Sequence, residues 1–210
     1  MGRLKKLNHR IISIKPQRSK NRFNITLESG DVFGISEDVL ISSKLSEGKY
    51  VSDKELVMIT NHEVHQKIKE KVLHLLSFRA RSRFELYTRL LRKGFDRSKI
   101  SNVIDELEEK GYIDDKEFSK MYATHLIRSK LLGKIAVKYQ FKKHQIASDI
   151  LDPILDELYI KYPIEELIRR IILKKEHKLS PELIKDKKLI DRIKRKGYSW
   201  GEITSVISSF

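Results

Sequence analysis

The chain has 210 residues, enough for one large or several small domains, and is 35% charged and 40% hydrophobic with few glycines or prolines. It has no cysteine, which excludes a disulfide framework, a thiolate metal site and a cysteine nucleophile, and which suits a reducing cytoplasm. The formal charge of +15 favours a polyanionic partner, either nucleic acid or a protein already bound to it.

No stretch approaches the roughly 20 apolar residues that a bilayer span needs. The N-terminus is basic, but Ile11, Ile12 and Ile14 are too few for a signal-peptide core. Residues 1–22 carry eight Lys or Arg, among them Arg3, Lys5, Lys6 and Arg22, and no acid. They read as a basic arm or as an edge strand lined with charge. Ile11–Ile14 adds strand character. Phe23–Leu27 and Val32–Ile35 alternate apolar and polar residues around Ser29-Gly30, which predicts a β-hairpin. A short helix is expected after Ser36 and a returning strand at Tyr50-Val51. Ser52 and Glu55 then form an S-x-x-E capping box for a helix.

From His65 the pattern is helical to the end. Ser82 and Glu85 repeat the capping box, Gly94 stops that helix, Asp96 opens the next and Gly111 ends it. Asp114 and Glu117 cap a further helix through Phe118 and Tyr122. Shifted by 51 residues, Leu86, Leu90, Phe95, Ile100, Val103, Ile104 and Leu107 become Val137, Phe141, Ile146, Leu151, Ile154, Leu155 and Leu158. Shifted by 103, they become Leu189, Ile193, Tyr198, Ile203, Val206, Ile207 and Phe210. This internal repetition divides the chain into a β-rich unit at 1–62 and three three-helix repeats at 63–114, 115–162 and 163–210. The fold class is therefore mainly α, with the repeats stacked in series as an elongated array. The basic surplus is spread along it, at +4, +3, +3 and +5.

Each repeat closes its second helix with cations: Arg89, Arg92 and Lys93; Lys138, Lys142 and Lys143; Arg192, Arg195 and Lys196. They are candidate contacts for a polyanion, although cations near a helix C-terminus also complement its dipole. Arg79, Arg81 and Arg83 suit phosphate or carboxylate, or simply surround a cap. Tyr87, Tyr112, Tyr122, Tyr139, Tyr198 and Trp200 invite a base-stacking reading. Packing is favoured for them, with Tyr112 and Tyr198 as hydrophobes that follow a helix-stop glycine.

His62-Glu63-Val64-His65 misses the i, i+4 spacing of H-E-x-x-H, so no metal is expected there. Gly48-Lys49 and Gly133-Lys134 lack the upstream glycine of a phosphate-binding loop. Asp114-Asp115 reads as a cap rather than an acid/base pair. No cofactor is implied, and an enzyme is not expected.

Residues 78–123 carry a more specific signal. Arg81, Glu85-Leu86, Leu90 to Phe95, Ile100, Val103-Ile104, Leu107, Gly111-Tyr112, Asp114-Asp115 and Phe118 together resemble the first repeat of the RecX family of bacterial recombination regulators. The hairpin and the following GISEDVL, residues 34–40, resemble the extension of its longer members. The resemblance implies a cytoplasmic regulator that binds the RecA–DNA filament and restrains RecA's ATPase, strand exchange and co-protease activity in recombination, DNA repair and the SOS response. It would act as a monomer, with weak, sequence-tolerant contacts to single- and double-stranded DNA. The second repeat departs from the pattern. Lys143-His144-Gln145 stands where glycine is usual, and Pro153 falls early in a helix that is expected to start late or to kink. The alternatives from other classes are a helix-turn-helix-like transcription factor and a helical scaffold whose charge serves only solubility.

Overall fold

The computed structural model describes residues 8–174 and 179–209; Arg3, Lys5, Lys6 and Phe210 lie outside them. The described residues are mainly helical, with a small strand unit at the N-terminus. They fall into two compact units, Met1–Phe78 with Arg89–Glu106, and Arg79–Thr88 with Leu107–Phe210.

In the first unit, β1 (Asn8–Pro16), β2 (Arg22–Leu27), β3 (Val32–Ser36) and β4 (Tyr50–Ser52) form one sheet in the order β3-β2-β1-β4. The expected hairpin is β2–β3, with Gly30 at φ +91° in its turn. The basic strand β1 is not at an edge: it pairs antiparallel with β2 on one side and β4 on the other. The reason is the apolar face of the sheet. Ile11, Ile25, Leu27, Ile35 and Val51 are buried with Val39 of α1 (Glu37–Ser42) and Ile59 of α2 (Asp53–Leu76). The charges of β1 therefore project from the half-exposed face of an interior strand.

The helix α2 begins at the expected capping box: Glu55 N–H donates to Ser52 Oγ and the Glu55 carboxylate accepts from Ser52 N–H at 2.7 Å. It runs unbroken for 24 residues. On it the buried Glu63 accepts from Arg22 at 2.5 Å and from the Ser36 N–H at 2.7 Å. A buried carboxylate is tolerable only with such partners, so Glu63 fixes the strand unit to α2. His65, its neighbour in the His62–His65 pattern, pairs instead with Glu106 at 2.9 Å.

The remaining helices are α3 (Arg83–Leu91), α4 (Arg97–Glu109), α5 (Asp115–Arg128), α6 (Lys134–Phe141), α7 (Ser148–Lys161), α8 (Ile164–Leu173), α9 (Lys187–Arg195) and α10 (Trp200–Ile207). With α2 they make three successive sets of three. The apolar positions shared by the sets are buried among the described residues, except for the half-buried Phe95 and Ile146. Asp96 Oδ1 accepts from the N–H groups of Ser98 and Lys99 at the start of α4. Asp114 does the same for Lys116 and Glu117 at the start of α5.

A residue in the turn that follows each second helix is left-handed: Gly94 at φ +82°, Gln145 at +50° and Gly197 at +87°. The missing glycine of the second repeat thus does not remove the left-handed turn, although here a 3-10 turn, Lys142–His144, precedes it. Gln145 takes the same conformation, at the steric cost that glycine avoids. Pro153 does not delay its helix either. α7 starts five residues earlier at Ser148 and continues to Lys161. The proline lacks an N–H for the carbonyl of Asp149, but that residue is exposed and water can serve it.

In the second unit, the apolar faces of α5 to α10 share one core. It includes Ile127, Val137, Leu155, Ile168, Ile193 and Ile203. At its tightest point two glycines meet. The Gly133 N–H, at the start of α6, donates to the Lys196 carbonyl at 2.8 Å. A Cβ on Gly133 would lie 2.5 Å from the Gly197 carbonyl oxygen. The Tyr198 hydroxyl donates to the Leu131 carbonyl beside this crossing.

Candidate functional site

The helix α5 presents an exposed face with a cationic rim. Its start is held by the Asp114 cap and by Asp115, which accepts the Arg83 N–H at 2.8 Å. Burial pushes the Asp115 carboxyl up, against that hydrogen bond and with help from Glu108 and Asp114. Asp114-Asp115 is therefore a cap plus a docking contact.

Two hollows that share Met121 and His125 lie along this face. The first, about 400 Å³, has apolar walls from Ala80, Phe118, Met121 and Tyr122, with Arg79 and Lys143 at its rim. The second, about 560 Å³, is lined by Lys120, Arg128 and Arg170 among others. Neither lining contains a carboxylate. Two acids that pair with lining residues are Glu85, which takes both Arg79, at 2.7 and 3.1 Å, and Arg81, and Glu157, which takes Lys120 at 3.1 Å. Burial opposes ionisation of Glu85, but its bonds to Arg79 and Arg81 outweigh this and hold the carboxyl below its usual range. Such a surface can accept an acidic chain that carries an apolar or aromatic group.

His144 closes the first hollow from beneath. Its ring lies 4.9 Å from Phe118 and 5.1 Å from Tyr122, and its Nδ1 is 3.2 Å from Ser82 Oγ. Its Nε2 is buried with no hydrogen-bond partner among the described residues. Burial, reinforced by the Lys143 charge, pushes its pKa down. Lys143 and His144, at the positions of Arg92 and Lys93 in the repeat register, therefore differ: the first is an exposed cation. The second is a neutral ring in an aromatic cluster, because its position faces the core of the second unit.

The helix-closing clusters read from the sequence divide by environment. Arg89, Arg92 and Lys93 are exposed at the end of α3 in the first unit. Lys138, Lys142, Lys143 and Arg195 are exposed in the second. Lys138 is paired with Asp152 at 2.7 Å. Lys142 and Lys143 stand 5.4 and 5.7 Å from the ring centroids of Tyr139 and Tyr122. Arg192 is half-buried, with Nε and Nη2 lacking a hydrogen-bond partner among the described residues. Lys196 is also half-buried and donates to the Lys130 carbonyl at 2.5 Å. Burial first, then the charges of Lys174, Arg192 and Lys130, pushes its pKa down. Arg79 and Arg81 are committed to Glu85, and Arg83 to Glu108.

The aromatic residues also separate. Tyr198 is buried as expected, whereas Tyr112, Tyr139 and Trp200 are exposed. What the sequence reading missed was the groove itself: Lys120, His125, Arg128 and Arg170. The first three sit at i, i+5 and i+8 of α5, and the available signal was a helix face free of acids after its first turn.

Comparison with known proteins agrees with this architecture. Residues 69–107 match the family model for RecX, first three-helix domain. The chain is 29% identical over 203 residues to the regulatory protein RecX of Oceanobacillus iheyensis, covering 91% of this chain and 72% of that protein. It is 26% identical over 193 residues to the regulatory protein RecX of Bacillus subtilis, covering 91% and 73%. A crystal structure of regulatory protein RecX shares the fold over 95% of this chain and 99% of that one, at a TM-score of 0.72 and 22% identity. The crystal structure of RecX from Lactobacillus salivarius covers 70% of this chain and 97% of its own, at a TM-score of 0.60 and 22% identity. Repeat register, left-handed helix stops and these likenesses converge: the chain resembles the RecX family over most of its length.

Proposed function

We propose that this protein binds the RecA–DNA filament and restrains it, lowering RecA's ATPase, strand exchange and co-protease activity, with no chemistry of its own. The observation that carries this reading is a cationic, carboxylate-free groove on α5 in a chain related over nine-tenths of its length to proteins named as regulators. Such a surface favours an extended acidic or phosphate-bearing partner over a small neutral ligand. We take the three repeats, 63–114, 115–162 and 163–210, as its modules and a cytoplasmic monomer as its working form. The proposed contacts are Arg89, Arg92 and Lys93, Lys138, Lys142 and Lys143, and Arg192, Arg195 and Lys196. Contact with DNA is expected to be weak, salt-sensitive and sequence-tolerant.

The test is RecA's DNA-dependent ATPase, with RecA from the same organism. Stoichiometric protein should lower it, and no effect overturns the reading. The variant Arg92→Glu/Lys143→Glu/Arg195→Glu replaces three exposed side chains, so it should stay folded yet bind the filament more weakly. Unchanged binding would remove these cations from the mechanism. Tight, sequence-specific duplex binding without RecA would favour a transcription factor instead.

A further inference from the structure

Two aromatic rings of the second unit are left in solvent with a lysine over each. Trp200, at the first position of α10, is 50% exposed, and Lys194 Nζ lies 4.9 Å from its ring centroid. Tyr139, on α6, is 66% exposed, with Lys142 Nζ at 5.4 Å. The two lysines occupy the same register position in their repeats, directly after the buried Phe141 and Ile193. The rings reach them by different routes, one from the last turn of the preceding helix and one across the Gly197 turn. The arrangement of a cation over an open ring is thus made twice by unlike local structures.

Neither ring is held there by core packing. Trp200 follows Ser199, whose hydroxyl accepts from the Glu202 N–H while its own N–H donates to the Glu202 carboxylate at 2.6 Å. This box fixes the backbone that carries the indole and keeps the indole itself outward. A solvent-facing tryptophan leaves unused the burial that is the main stabilising resource of such a side chain. A flat ring with an ammonium at its face supplies what an unpaired nucleotide needs: a stacking surface for the base and a counter-charge for its phosphate. Duplex bases, already stacked and paired, cannot use such a ring without being extruded. Exposed Arg195 and Lys143, each next in sequence to one of these lysines, add charge for the flanking phosphates.

We propose that Trp200–Lys194 and Tyr139–Lys142 are stacking platforms for unpaired bases, so that this protein binds single-stranded nucleic acid through its bases as well as its phosphates. The proposal deepens the filament reading and rests on it for its biological setting, but its chemistry can be read without RecA. Trp200 is the single tryptophan of the chain, so emission excited selectively from tryptophan, clear of the tyrosines, reports this platform alone. The full chain is titrated with a twenty-nucleotide oligothymidylate, with an abasic deoxyribose-phosphate oligomer of equal length, and with heparin.

Oligothymidylate should quench Trp200, while the abasic oligomer and heparin should bind more weakly and leave the emission largely unchanged. By fluorescence anisotropy of labelled oligothymidylate, Trp200→Ala and Tyr139→Ala should each weaken binding about five- to 150-fold, the range for loss of one stacked base. Trp200→Phe should restore most of it. Equal affinity for the abasic and thymidylate oligomers would overturn the proposal. So would unchanged affinity of Trp200→Ala, including the case in which that variant loses only its effect on RecA and the ring is a protein contact. If stacking fails while RecA's ATPase still falls, the filament reading survives without it. If stacking holds and the ATPase is untouched, the filament reading fails and a single-strand binder remains.

Discussion

Gly197→Ala tests the rigidity of the crossing between the second and third repeats. A Cβ at Gly197 would overlap the Ala136 backbone nitrogen and lie 2.5 Å from Ala136 Cβ, at a residue whose φ is +87°. Left-handed backbone costs a non-glycine residue about 1–2 kcal/mol, of which alanine recovers about 0.5–1 by losing less chain entropy. Overpacking adds about 1–3 kcal/mol, at the upper end here because the obstacle is backbone and cannot rotate away. The total is about 2–4 kcal/mol. Gly111→Ala is the control in the same compact unit: its φ is +73°, but nothing lies within 4 Å of its would-be Cβ. It should cost about 1 kcal/mol. With an m-value of about 2 kcal/mol/M, urea midpoints followed by far-UV circular dichroism should fall by about 0.5 M for Gly111→Ala and about 1–2 M for Gly197→Ala. Equal losses would show that the backbone at the crossing yields easily, and that Tyr198, Lys194 and Trp200 are not rigidly placed by it.

Gln145→Gly should raise stability by about 0.5–1 kcal/mol, since glycine removes the left-handed strain at an exposed side chain; a lower urea midpoint would refute this. His144 should make stability pH-dependent. Burial depresses its folded pKa below the ordinary 6.5, so the unfolded chain takes up the proton first. Stability then falls as pH drops below about 6.5 and levels off beneath the lowered folded value. The loss of urea midpoint between about pH 7.5 and 5.5 should be smaller in His144→Gln, and an equal loss in both proteins would assign the dependence elsewhere.

Much of the fold was legible because its determinants are local. The three-helix register follows from apolar residues at helical spacing, and the caps at Ser52, Asp96 and Asp114 act within three residues of themselves. The hairpin follows from alternation around Ser29-Gly30. What was not legible depends on pairs distant in sequence. Nothing near Arg22 announces that Glu63, 41 residues on, will neutralise it, and nothing near Gly133 announces Gly197. The basic N-terminal strand looked like an edge because its charges were visible and its two partner strands were not. The sequence marked His144 only as a non-apolar residue after Lys142 and Lys143, where glycine is usual. Only the fold turns it inward, against Phe118, Tyr122 and Phe141.

The distribution of carboxylates decides where the charge excess acts. Arg22 with Glu63, Lys69 with Glu106, Arg79 and Arg81 with Glu85, and Arg83 with Glu108 are ion pairs inside the protein. Their cations lend little field to a partner, because each carries its counter-charge within about 3 Å. Lys138 is also paired, with Asp152, but both side chains are exposed, so of its cluster it offers a partner less than Lys142 and Lys143 do. The net +15 therefore understates the contrast between surfaces. Pairing removes equal numbers of cations and anions, and the excess is left on faces such as α5, where the lining holds no acid. A polyanion docking there meets Lys143, Arg128 and Arg170, while Arg79 and Lys120 bring the counter-charges of Glu85 and Glu157 with them. Among the cations flagged by the sequence, Lys143 combines exposure, a place in that lining and contact with an aromatic ring. It joins the groove to the helix-closing cluster, which makes it the residue through which the repeat-based and the groove-based accounts of binding meet.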